Sequence, residues 1–169
     1  MTVLTIRREG KAGKARGFSL IELLIVVAII LVIAAIAIPN FMRSRIAANE
    51  SASVQNMRNI NTANVVFSST YGIGYASTLA ALGPPPGGGQ PTATNSALID
   101  DILATGTKSG YTYTYTPGSP VNGVIDSFTL SASPVTPGVT GYRYFFTDDS
   151  GVIRQNTSAL ATVSDTPIG

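Results

Sequence analysis

Residues 17–40 read GFSLIELLIVVAIILVIAAIAIPN, and they carry a single charge, Glu22. From Phe18 to Met42 that glutamate interrupts an otherwise uncharged run of 25 residues. A helix of that length rises about 37 Å at ~1.5 Å per residue, enough to cross a bilayer. A carboxylate in such a helix costs roughly 2.5–3.5 kcal/mol on insertion scales when it lies deep. Glu22 therefore calls for a compensating partner.

The flanks give the run a direction. Before Gly17 stand Arg7, Arg8, Lys11, Lys14 and Arg16, with one acid, Glu9. This basic leader predicts a cytoplasmic N-terminus, with the rest of the chain outside. Arg43 and Arg45 on the far side oppose that orientation with two charges against five. The 169-residue chain has a formal net charge of +2. Without the leader's charges, six basic residues face eight acidic ones, so the body is net acidic and offers no basic surface for nucleic acid. The chain has no cysteine and no histidine, which excludes disulfides, thiol nucleophiles, histidine triads and the usual zinc ligand sets.

Three readings compete for the N-terminus. A secretory signal is cut near Ala35-Ile36-Ala37, which has the A-x-A form, but its apolar run is too long and the cut discards Glu22. A plain membrane anchor leaves Glu22 without a purpose, and nothing after Arg7-Arg8 supports twin-arginine export. Cleavage between Gly17 and Phe18 creates an α-amine four residues before Glu22, and a carboxylate one turn away can neutralise it, in the same chain or from a neighbour. Against that stands a local account. Ser19-Leu20-Ile21-Glu22 has the S-x-x-E form of a capping box, which explains the spacing with no partner at all.

No glycine interrupts residues 40–71, and Ile46, Val54, Met57, Ile60 and Phe67 recur at roughly helical spacing. Arg45, Glu50, Asn56, Arg58 and Asn59 fill the intervals and are assigned to the polar face. One long helix is expected from Phe18 to about Ser69, ended by Gly72 and Gly74. Pro39 inside it costs about 3 kcal/mol, so the helix either breaks there or continues kinked or locally melted. PPPGGG at 84–89 is an exposed loop. Asn95 or Ser96 caps a short helix with Leu98, Ile99, Ile102 and Leu103 on its apolar face, closed by Gly106.

After Gly110 the period becomes two. Tyr111–Thr116 alternates ring and hydroxyl, Phe128–Ala132 and Tyr142–Thr147 follow suit, and Val152–Gln155 completes a hairpin across the turn at 148–151. The tail from about Ser158 is small and polar and is expected to be loose. The fold class is α+β. The expected layout is a cleaved leader (1–17), a hydrophobic half-helix (18–42), an amphipathic half (43–70), a connection with a short helix (71–110) and an antiparallel meander of about four strands with its tail (111–169).

Arg16 to Ile30, followed by Ala34-Ala35-Ile36-Ala37-Ile38-Pro39-Asn40-Phe41, closely resembles the N-terminus of type IV prepilins and type II secretion pseudopilins. The resemblance implies that a prepilin peptidase cuts between Gly17 and Phe18 and N-methylates Phe18. It implies that Glu22 meets the Phe18 amine of an adjacent subunit, and that Pro39 lies where pilin helices kink or melt on packing. The chain then waits in the inner membrane as a single-pass precursor. It ends in an extracellular pilus, or in the periplasm if it is a pseudopilin. The implied partners are identical subunits, the peptidase, a separate assembly ATPase and platform proteins. Leu98–Gly110 and the strands resemble long bacterial pilin-like proteins. A C-terminal cysteine pair and an acid-rich calcium loop, known in many relatives, are not evident.

The alternative of another class is a membrane-anchored binding module or enzyme. No catalytic constellation supports an enzyme, and no cofactor or metal is expected. Asp100 and Asp101 read as solvated helix-end charges, and Asp148-Asp149 as a hairpin turn short of the six to eight oxygens calcium takes. Gly72–Ser77 follows a helix and lacks a P-loop lysine, so the chain does not supply its own assembly energy. Phe67, Tyr71 and Tyr75 invite an electron-conducting reading, with core packing the stronger account.

Overall fold

The computed structural model describes residues 17–168. Most of the basic leader lies outside the described residues. Helix α1 (Leu20–Tyr71) is assigned without interruption through Pro39, so the two-helix alternative is not observed. The chain divides into two compact units, Met1–Pro39 and Asn40–Gly169.

In the first unit the apolar side chains from Phe18 to Ile38 are exposed, because no sheet lies within that unit to cover them. The second unit is a closed head. Its sheet comprises β1 (Thr107–Lys108), β2 (Tyr111–Pro117), β3 (Phe128–Pro134), β4 (Tyr144–Asp148), β5 (Arg154–Asn156) and β6 (Thr166–Pro167). The strands lie in chain order, and every neighbouring pair is antiparallel. The meander is as expected, but six strands replace four. The two additions are two-residue strands at the sheet edges, too short to carry a period-two signature. Such short edges leave little backbone open for pairing with another sheet.

Alternation along β2 buries Tyr111 and Tyr113 and half-buries Tyr115, while Thr112, Thr114 and Thr116 face out. The inward rings meet Phe128, Leu130, Ala132 and Phe145 from β3 and β4, together with Val54, Met57, Ile60, Ala63 and Phe67 from α1. Each such side chain contributes on the order of 1.5–3 kcal/mol by leaving water. Phe67 and Tyr71 stand 4.8 Å apart by ring centroid, Tyr75 meets Phe128 at 4.9 Å, and Tyr115 stacks on Phe128 at 5.5 Å. These aromatics pack in and around the core.

Buried polar side chains fasten the helix to the sheet, and here the structure corrects the polar-face assignment. Glu50 and Asn56 are buried. Asn56 Nδ2 donates to the Tyr113 hydroxyl (3.0 Å). Asn64 Oδ1 accepts from Ala76 N (3.2 Å) and from the Tyr115 hydroxyl (3.0 Å), tying the chain after α1 back onto the helix. Burial pushes the Tyr111 and Tyr115 phenols above their ordinary range, so both stay protonated donors.

Glu50 accepts from Tyr142 N (2.8 Å) and Arg143 N (3.2 Å), and pairs with Arg143 Nε at 2.7 Å. These bonds use the backbone donors that a ladder would need, so β4 starts at Tyr144 rather than at the expected Tyr142. At Gly141 an added Cβ would stand 2.1 Å from the Tyr111 hydroxyl, so only glycine lets the loop pass this close.

The connection also departs from expectation. PPPGGG is exposed over most of its length, as expected of a loop, and Pro86–Gly88 within it makes a single 3-10 turn. The short helix α2 (Asp101–Ala104) is capped by Asp100, whose carboxylate accepts from Leu103 N (3.0 Å). Ser96 is held away from that role, its N–H and hydroxyl both donating to Ala81 O. Ile102 is exposed, while Ile99 and Leu103 are buried. The tail is not loose in its bonding. Ala161 is buried, Asp165 accepts from Thr162 N (2.7 Å) and Asn156 Nδ2 (2.8 Å), and Ile168 N donates to Ile153 O.

Candidate functional site

Gly17 and Phe18 precede α1 in non-helical backbone, and both are exposed, Phe18 at 84%. Ser19 occupies the N-cap position, and its carbonyl accepts the first helical bond from Leu23 N (3.2 Å). Glu22 reaches back to accept from Ser19 N at 2.9 Å through Oε2. This is the reach-back arm of a capping box, and it satisfies one of the donors that every helix N-terminus leaves open. Its charge also suits the positive end of the helix dipole. The local account of Glu22 is thus realised in the uncleaved chain. Oε1 has no partner among the described residues.

Downstream of Glu22, the stripe Leu23–Ile38 carries no polar side chain. This one helix is long and apolar enough to cross a membrane by length and composition. Pro39 lies within the helix, and the division between the two compact units falls immediately after it. Sequence reasoning named Gly17, Phe18, Glu22 and Pro39. The structure brings Glu22 to the backbone of Ser19, beside Phe18, and leaves Pro39 some twenty residues along the helix.

Among the described residues no three His, Cys, Asp or Glu side chains gather to hold a metal. Asp100 pairs with Lys108 (2.7 Å), and Asp148 accepts from Ser150 N (3.0 Å) within its own turn. The functional residue that sequence reasoning misplaced is Glu50. A signal was present, since it falls four residues after Ile46 and four before Val54, on the buried stripe.

An exposed Gly-Phe junction, a capping glutamate and a long apolar helix follow one another at this end of the chain. Residues 13–38 match the family model described as the prokaryotic N-terminal methylation motif. The chain is also 50% identical to the type IV major pilin protein PilA of Myxococcus xanthus (strain DK1622) over 52 residues. That stretch covers 31% of this chain and 24% of that protein's own length. No solved structure matches the chain. Together the motif and the relative support a type IV pilin-family protein.

Proposed function

We propose that this chain is the structural subunit of a type IV pilus. It is held in the inner membrane through residues 18–42, with its N-terminus in the cytoplasm. A prepilin peptidase cuts between Gly17 and Phe18 and methylates the new Phe18 amine. The subunit then polymerises with identical copies, driven by a separate ATPase and platform proteins.

The observation that carries this reading is the contrast in burial. The head closes a core of its own, while the apolar side chains of residues 18–38 stay exposed. Apolar surface on the order of 2,000 Å² at ~25 cal/mol per Å² corresponds to tens of kcal/mol that only lipid or other apolar helices can recover. Lipid serves the precursor, and neighbouring copies serve the filament. The two shelters are similar in energy, so transfer between them needs work from outside the chain.

Glu22 acts as a register device. Its Oε2 holds Ser19 N, and its second oxygen is left for the amine made at Phe18. In an apolar seam a carboxylate and an ammonium are strongly attracted, and a shifted helix leaves both unpaired. Capping and pairing are therefore successive uses of one side chain, before and after cleavage.

Glu22→Ala tests the reading. The variant is expected to accumulate in the membrane, with sheared filaments reduced by at least about tenfold. Parental filament yield from this variant would refute the register role. Electron microscopy of sheared parental cells separates a pilus from a pseudopilin. Surface filaments support the pilus, and processed protein confined to the periplasm supports the secretion pseudopilin.

A further inference from the structure

The head carries two exposed arginines without ion pairs at one end and two such aspartates at the other. At the start of the head, Arg43 and Arg45 on α1 are exposed, and neither forms an ion pair among the described residues. Beside them the loop between β3 and β4 is held down by Glu50 and by Asn49, whose Nδ2 donates to Thr140 O (2.9 Å). That loop exposes Val139 and Tyr142.

The far end, around the last turns of α1, is acidic. Asp148 and Asp149 line a cavity of about 250 Å³ with Asn61, Val65 and Tyr75. Ile125 N donates to Ile73 O (3.2 Å) and Ile125 O accepts from Tyr75 N (2.7 Å), which places Asp126 at the same end. Asp126 and Asp149 are exposed and form no ion pair among the described residues. Exposed Ile73, Val121 and Val124 accompany them. Several other head charges are engaged elsewhere. Glu50 holds Arg143, Asp100 holds Lys108, and Arg154 Nη1 donates to Asp165 O (3.0 Å). Arg58 and Asp101, exposed and without ion pairs among the described residues, belong to neither end.

We infer that these two ends bind each other in successive copies. The Arg43/Arg45 end of one head receives the Asp126/Asp149 end of the next, with aliphatic side chains flanking the charges on both sides. The inference rests on the filament reading and adds a second contact to it, made by heads rather than apolar helices. Three features favour a second copy of this chain as the occupant. The charges are complementary, apolar side chains accompany both, and the ends are different surfaces on one molecule. Different surfaces make a heterologous contact, which propagates instead of closing into a dimer. From Arg45 to Tyr71 the helix rises about 39 Å at ~1.5 Å per residue. Copies joined end to end through these surfaces are therefore spaced by tens of ångströms along that direction.

The test uses the full chain in filament-forming cells, reading sheared filament per cell against membrane-held subunit. Arg43→Asp with Arg45→Asp, and separately Asp126→Lys with Asp149→Lys, each place like charges together. Each pair is expected to lower filament yield by about tenfold, with membrane level and Phe18 processing unchanged. Combining all four reversals restores opposite charges and is expected to recover at least about half of the parental yield. Either reversal staying within about twofold of the parent overturns the inference, as does a fourfold variant no better than its components. A processed parent that forms no filaments at all refutes the filament reading, and this inference with it.

Discussion

The two halves of α1 follow opposite rules. In residues 20–42 nearly every side chain is apolar, and nearly every one is exposed. In residues 43–71 the helix buries Glu50, Ser53, Asn56 and Asn64 beside its aliphatic residues. The difference lies in what each half faces. The head half meets a sheet of its own chain, whose tyrosine hydroxyls and loop N–H groups offer partners to Glu50, Asn56 and Asn64. The first half has no such sheet in its own unit, so any polar group there is costly, and only Glu22 at the helix start and Asn40 after Pro39 are retained. Exposure of apolar residues in one half, and burial of polar residues in the other, mark an uncovered surface and a closed one.

The largest expected effect sharpens that contrast. Phe67→Ala removes a ring from the closed core and should lower head stability by about 3–5 kcal/mol in urea unfolding of the detergent-held full chain, followed by tyrosine fluorescence. Ile33→Ala removes an exposed side chain of comparable hydrophobicity. It should leave the same unfolding midpoint within about 0.5 kcal/mol. Equal losses from both would break the distinction between the halves.

Next comes the buried carboxylate. Glu50→Gln keeps the shape but removes the charge facing Arg143, at an expected cost of about 2 kcal/mol in the same unfolding assay. A pH effect accompanies it. Burial pushes Glu50 up, but the N–H groups of Tyr142 and Arg143 and the Arg143 side chain outweigh it, so the folded value lies below the ordinary 4.5. A carboxyl lowered on folding stabilises at pH above its unfolded value, and that contribution is lost as pH falls through the folded one. Melting temperature should therefore drop below pH 4.5 in the parent and change less in Glu50→Gln.

The smallest effect belongs to the connection. Asp100→Ala removes the cap of α2 and an exposed ion pair, for a loss of about 1 kcal/mol in the same assay. A loss no larger than that of Asp101→Ala would remove Asp100 from the capping role.

Much of this was legible in the residues. The unbroken run from Phe18, the ring–hydroxyl alternation of Tyr111–Thr116 and the S-x-x-E at Ser19–Glu22 each encode structure locally, and each appears as expected. What escaped depends on contacts far along the chain. Glu50 reads as a polar-face residue until the loop holding Arg143, more than ninety positions later, folds onto it. Asp100 becomes the cap only because the segment before it is bonded to Ala81, Leu82 and Gly83. The tail's small polar residues look unanchored until Asp165 meets Asn156. One miss was local. Val121-Asn122-Gly123-Val124 forms a two-residue turn with positive φ at Asn122 and Gly123, a pairing that Asn-Gly commonly encodes. For the N-terminal site the residues point to a cleavage junction, and the structure adds that Glu22 is already engaged by Ser19 before any cut.

The central claim is that Glu22 exchanges a capping role for a pairing role once Phe18 becomes the first residue. Intact-mass spectrometry of subunits from sheared filaments tests its premise most directly. The account predicts a chain that begins at Phe18 and carries one N-methyl group. A chain that begins at Met1, or at Ile38 where the apolar run ends, would contradict it.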